Sequence, residues 1–143
     1  KEVAEIQMGQ KAPVDPAAKE KRLFEAHLIP EAMVATAKVK ATLKAIETVD
    51  GKEAYVVDYE FPAGEKVTTY FDRESGLKIQ TIEMVKTPQG DMAVPTRYQD
   101  YKEVGGVKFP HSVTVSQGPM NFNFQVSSLE VNVAMDDNLF KVQ

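Results

Sequence analysis

The chain has 143 residues, with 17 basic and 21 acidic side chains, a formal net charge of -4 and no cysteine. That length suits one domain with one sizeable core. Near-balanced charge without a Lys/Arg cluster argues against nucleic acid or an anionic membrane surface as partner. The lack of cysteine excludes disulfides, thiolate chemistry and Cys-ligated zinc or iron–sulfur sites, and no apolar run approaches the ~18 residues of a membrane span.

The first residue is Lys1, not Met, which predicts a processed protein or a piece of a longer one. Residues 1–14 (KEVAEIQMGQKAPV) read as an isolated strand or a linker, with Val3, Ile6 and Met8 as its apolar positions. The segment 15–38 reads as helical. Asp15 is placed as N-cap and Pro16 at the first helical position, and Leu23, Phe24, His27 and Leu28 share a face of a helix over 16–29. Pro30 ends or kinks it, and EAMVATA adds a short turn or helix.

Residues 39–143 read as antiparallel sheet. Turn signals recur at Asp50-Gly51, Pro62-Ala63-Gly64, Glu74-Ser75-Gly76, Pro88 to Asp91, Gly105-Gly106 and Gln117-Gly118-Pro119. Between them, Tyr55, Val57, Tyr59 and Phe61 alternate with Asp58 and Glu60, and Met120, Phe122, Phe124 and Val126 alternate with Asn121, Asn123 and Gln125. Parity slips at Ser127-Ser128, because Leu129, Val131 and Val133 take the other phase, which predicts a bulge there. The fold expected is α+β and mainly antiparallel: a curved meander of about seven strands over 39–134, a half-barrel packed on the N-terminal helix, within a single domain of 1–143.

Catalytic and metal patterns are missing. His27 in H-L-I-P-E has no second imidazole one helical turn away, and Pro30 breaks the turn that would carry it. His111 shares parity with Val107, Phe109, Val113 and Val115, the pattern of a packed strand residue. A partnership with His27 or Asp100 stays open. Gly105-Gly106 lacks the phosphate-loop pattern, and Asp136-Asp137-Asn138 reads as a capping turn, not a calcium loop. No catalytic residue, metal ligand or cofactor is assigned.

The positive signal is apolar. Met84, Phe109, Met120, Phe122 and Phe124 form a candidate surface for a greasy ligand, since Met adapts its shape. The competing reading is that these side chains fill the core beneath the helix.

Three motifs carry a resemblance. G-K-x-A-Y-x-V (Gly51 to Val57), Y-F-D-x-x-[ST]-G-L (Tyr70 to Leu77) and Y-x-x-Y-K-E-V-G-G-V-K-F-P (Tyr98 to Pro110) resemble the periplasmic lipoprotein-carrier superfamily of LolA/LolB-like half-barrels, over roughly residues 39–143. The run VDPAAKEKRLFEAHLIPE (14–31), with G-K-E-A-Y-V-V and Y-K-E-V-G-G-V-K-F-P, is similar to the C-terminal region of Bacteroidetes-type insulinase-like (pitrilysin) zinc proteases, over nearly the whole chain. The resemblance implies a non-catalytic carrier-like domain in the periplasm or cell envelope. Its implied partners are a lipid, a lipoprotein acyl chain or other domains of the same chain. A stand-alone lipoprotein or lipid carrier is the alternative, and a hydrolase using His27 or His111 is the weakest reading. A complete carrier has more structure before the point where this chain starts, so the half-barrel is expected to be partial.

Overall fold

The computed structural model describes residues 5–7, 10–12, 19–27, 29–36 and 38–136. Asp15, Pro16, Leu28, Asp137 and Asn138 lie outside the described residues. β1 (Glu5–Gln7) and β2 (Gln10–Ala12) pair as a small antiparallel ribbon. α1 (Lys19–Glu25) and a 3-10 turn (Pro30–Met33) follow. The rest is one open antiparallel sheet of seven strands in sequence order: β3 (Lys40–Val49), β4 (Lys52–Glu60), β5 (Lys66–Asp72), β6 (Lys78–Thr87), β7 (Gly90–Val104), β8 (Val107–Gln117) and β9 (Met120–Gln125).

Every turn within the seven-stranded sheet falls on a stretch the sequence marks. Two of them, Asp50-Gly51 (φ 50° and 81°) and Gly105-Gly106 (φ 61° and 83°), are two-residue turns with both residues left-handed. This backbone matches the twist of a hairpin and needs Gly, Asn or Asp. α1 stops at Glu25, short of the expected 29. Ile29 precedes Pro30 and takes φ -127°, ψ 84°, since a proline disfavours helical backbone in the residue before it.

Residues directly opposite on paired strands share a face of the sheet. One row therefore crosses all seven strands: Leu43, Val57, Thr69, Thr81, Thr96, Val115 and Phe122. Its neighbours on this face include Tyr59, Val67 and Val94 on one side and Tyr55, Phe71 and Phe124 on the other. The face is mainly apolar, with a threonine midline and Glu83 standing between Val67 and Val94.

The helical layer packs on this face. Phe24 of α1 meets Phe61 edge-on at 5.4 Å and Tyr59 at 6.0 Å, joined by Val39 and Val67 in the buried core, with Met33 and Val34 against them. Two ion pairs pin the layer to β6: Lys21 to Glu83 at 2.6 Å and Glu31 to Lys78 at 3.0 Å. The cover reaches the central strands only, leaving Leu43 and Ile46 at one edge and Phe122 and Phe124 at the other exposed.

Two irregularities shape the far side. Pairing of β7 with β8 is interrupted at Asp100 and His111, where Asp100 takes φ 52° and the adjacent Pro110 has no N–H to donate. β9 pairs only with Ser112–Gln117, below this bend, and regular structure ends at Gln125. The parity slip at Ser127 thus marks the end of a strand, not the bulge expected there. Val126 still donates to the His111 carbonyl, and the chain then runs to the β7–β8 turn, where Val131 meets Gly105.

Candidate functional site

Where the helical layer stops, a cleft of about 750 Å³ opens against the upper ends of β5 to β8. Ile29, Phe71, Leu77, Tyr98, Tyr101 and Phe109 give it apolar walls. A cavity of about 280 Å³ adjoins it beneath α1, over Thr69 and Thr81, and Glu31, Lys78 and Tyr98 line both.

The two tyrosines reach the same cleft because of the break at Asp100. In a regular strand, residues three apart point to opposite faces. The left-handed Asp100 between Tyr98 and Tyr101 shifts the alternation, so both rings line one space. Lys78 lies over the Tyr98 ring at 4.9 Å, and Tyr101 donates its hydroxyl to the Lys78 carbonyl at 2.5 Å. Thr81 and Tyr98 hydroxyls are 3.4 Å apart.

Burial pushes the Tyr59 hydroxyl up to about 12, with the Glu31 carboxylate adding to it. Burial likewise raises Tyr101, reinforced by Tyr98 and Glu31. These phenols stay neutral at physiological pH and serve as walls and hydrogen-bond donors. Burial also raises Glu25, against the pull of Lys21.

The sequence-derived candidates divide three ways. Phe109 is half-buried and lines the cleft. Met120, Phe122 and Phe124 are 54, 43 and 56 % exposed and stand together on the apolar face at edge strand β9, outside the cleft lining. Met84, 57 % exposed, pairs with Ala93 and shares parity with Ile82, opposite Thr68, on the other face. Tyr98, Tyr101, Lys78 and Leu77 were not among the candidates. Tyr98 and Tyr101 belong to the Y-x-x-Y motif, but only the backbone at Asp100 shows that they converge.

Neither histidine stands in a catalytic arrangement. His27 donates from Nδ1 to the Leu23 carbonyl at 2.7 Å, and His111, buried, donates from Nδ1 to the Phe109 carbonyl at 3.0 Å. Among the described residues no three His, Cys, Asp or Glu side chains gather as a metal site. Also among them, no helix is long and apolar enough to cross a membrane.

No protein-family model matches the chain, and no curated protein sequence does. Two solved structures are similar. A DUF1329 family protein from Desulfovibrio piger superposes with a TM-score of 0.60 at 14 % identity, covering 74 % of this chain and 48 % of its own. A LolA superfamily protein from Nitrosomonas europaea superposes with a TM-score of 0.48 at 15 % identity, covering 58 % of this chain and 39 % of its own. The likeness is one of fold, and this chain spans about half the length of the first or less of the second.

Proposed function

We propose that the chain is a non-catalytic, carrier-like module that holds an apolar chain, such as a lipid or lipoprotein acyl chain, in the cleft between its sheet and its helical layer. One observation supports this most. Beside the helical layer, over the ends of β5 to β8, an apolar-walled cleft of about 750 Å³ opens, within the ~300–1,000 Å³ of typical ligand sites. Phe109, Leu77 and the paired tyrosines form the binding walls. Met120, Phe122 and Phe124 extend the same face toward the edge. Met84 belongs to the other face and is not part of this surface.

The test is displacement of a fluorescent fatty acid, with native mass spectrometry for copurified lipid. Binding should fall at least about tenfold in Leu77→Asp, which places a charge in an apolar wall, and should be unchanged in Met84→Asp. Absence of both probe binding and copurified lipid overturns the reading.

The module is further proposed to act in the periplasm or cell envelope as part of a zinc protease of the insulinase-like type, positioning its apolar ligand beside other domains. The support is the run 14–31 together with the motifs at Gly51 and Tyr98. An H-x-x-E-H motif encoded upstream of Lys1 in the same gene would bear this out. A gene without it leaves the stand-alone carrier.

A further inference from the structure

The two edges of the sheet differ. β3 is interrupted by a bulge between Leu43 and Ala45 and carries Lys40, Lys44 and Glu47. Bulges and charges are the devices that keep an edge from pairing with another chain. β9 has neither. Its sequence MNFNFQ holds no charge, no proline and no glycine, its pairing with β8 is unbroken, and all six residues are exposed.

β9 is also ordered for a partner. On one face, Ser112, Thr114 and Ser116 of β8 bond Gln125, Asn123 and Asn121 at 2.8, 2.9 and 2.7 Å. These three cross-strand pairs hold the strand in one register. Because the Val126 N–H points to His111, alternation directs the backbone groups of Phe124, Phe122 and Met120 toward β8. Those of Asn121, Asn123 and Gln125 then point outward.

The order of residues selects the occupant. From Met120 to Val126 the sequence M-N-F-N-F-Q-V reads the same in kind from both ends, with Asn123 at its centre. An antiparallel copy of the strand, set on a two-fold axis at Asn123, matches like with like. It uses all three outward-pointing residues, forming about six backbone hydrogen bonds. It sets Phe122 opposite Phe124 of the second copy and Met120 opposite Val126, in the closer non-hydrogen-bonded pairs. Asn121 then faces Gln125 of the second copy, and no like charges meet.

We infer that β9 is a self-association edge: two copies of this chain pair through Met120–Val126 about a two-fold axis at Asn123, joining their sheets into one. A contact of one strand on each side lies at the small end of specific interfaces, so the pair is expected to form reversibly with protein concentration. The side chains keep their faces, and the apolar face continues across the axis.

Sedimentation velocity of the full chain from low to high micromolar concentration tests this. The mass should rise from one chain toward two, with amide-exchange protection gained at Asn121, Asn123 and Gln125. Asn123→Lys sets two like charges together at the axis and should hold the protein at one chain throughout. Asn121→Lys with Gln125→Glu sets opposite charges together twice and should restore or tighten the dimer in a salt-sensitive way. Both changes are exposed, and circular dichroism checks that the variants fold. A single chain at every concentration overturns the inference, as does a dimer indifferent to Asn123→Lys.

Discussion

The Val131 side chain occupies the space that a side chain on Gly105 would need: a Cβ there would stand 2.5 Å from Val131 Cγ2. The neighbouring Gly106 has nothing within 4 Å of that position, though both glycines are left-handed. The Gly105-Gly106 turn therefore does two things. It closes the β7–β8 hairpin, and through Gly105 alone it seats the segment that follows β9.

Alanine at each position separates the roles. Gly106→Ala should destabilise by about 1 kcal/mol, the cost of placing a side chain on left-handed backbone. Gly105→Ala should add a further ~1–3 kcal/mol, since Val131 must move. Urea midpoints compare the two, and equal losses would show that the Val131 contact carries no weight.

Phe24 is the side chain that fastens the helical layer to the sheet, 7 % exposed and in contact with two rings of β4 and its extension. Phe24→Ala should cost about 3–5 kcal/mol, a large share of the ~5–15 kcal/mol of a typical domain. Amide exchange in α1 should rise with it. Phe24→Leu, keeping most of the volume, should recover more than half.

Asp72 is buried at the end of β5 and accepts both the Ser75 hydroxyl at 2.6 Å and the Ser75 N–H at 2.7 Å. These bonds, the hydroxyl first, hold its carboxyl below the usual aspartate range. A depressed folded value means stabilisation that is present above the unfolded pKa, about 4, and lost as pH falls through the folded one. Acid titration of stability should therefore steepen below about pH 4, and Asp72→Asn should flatten that part of the curve while lowering stability at neutral pH. An unchanged acid limb in the variant would remove Asp72 from the account.

At the alkaline end the group to watch is Tyr59, raised by burial to about 12. A raised folded value means stability that is intact below the unfolded pKa, about 10, and lost as pH climbs from there toward the folded value. Phenolate absorbance followed with circular dichroism should show part of the tyrosine ionising only as the fold opens. In Tyr59→Phe the alkaline loss should shift upward in pH.

The meander was legible because its turns are local chemistry. Asp50-Gly51 and Gly105-Gly106 announce left-handed backbone, and the alternation in Tyr55 to Phe61 and Met120 to Gln125 announces strands. Faces were harder. Met84 joined the apolar set by residue type, but the pairing of Ile82 with Thr68 puts it on the face away from Thr69 and Thr81, which residue type alone does not tell. The cleft was hidden for a similar reason: Tyr98 and Tyr101 converge only through the backbone at Asp100, a residue whose type permits φ 52° without requiring it. The strand end at Gln125 depends on the bend in β8 at Pro110, some fifteen residues earlier in the chain, which parity at Ser127 could not reveal.

In the self-association inferred for β9, the bulge in β3 sets the valence. A sheet with two open edges adds subunits without end and grows as a fibre, whereas a sheet with one closed edge stops when its open edge is met. With β9 pairing as inferred, removing Lys44 and straightening the Leu43–Ala45 irregularity would free the second edge and let pairs join end on end, so this small defect in the sheet is what would stop the assembly at two.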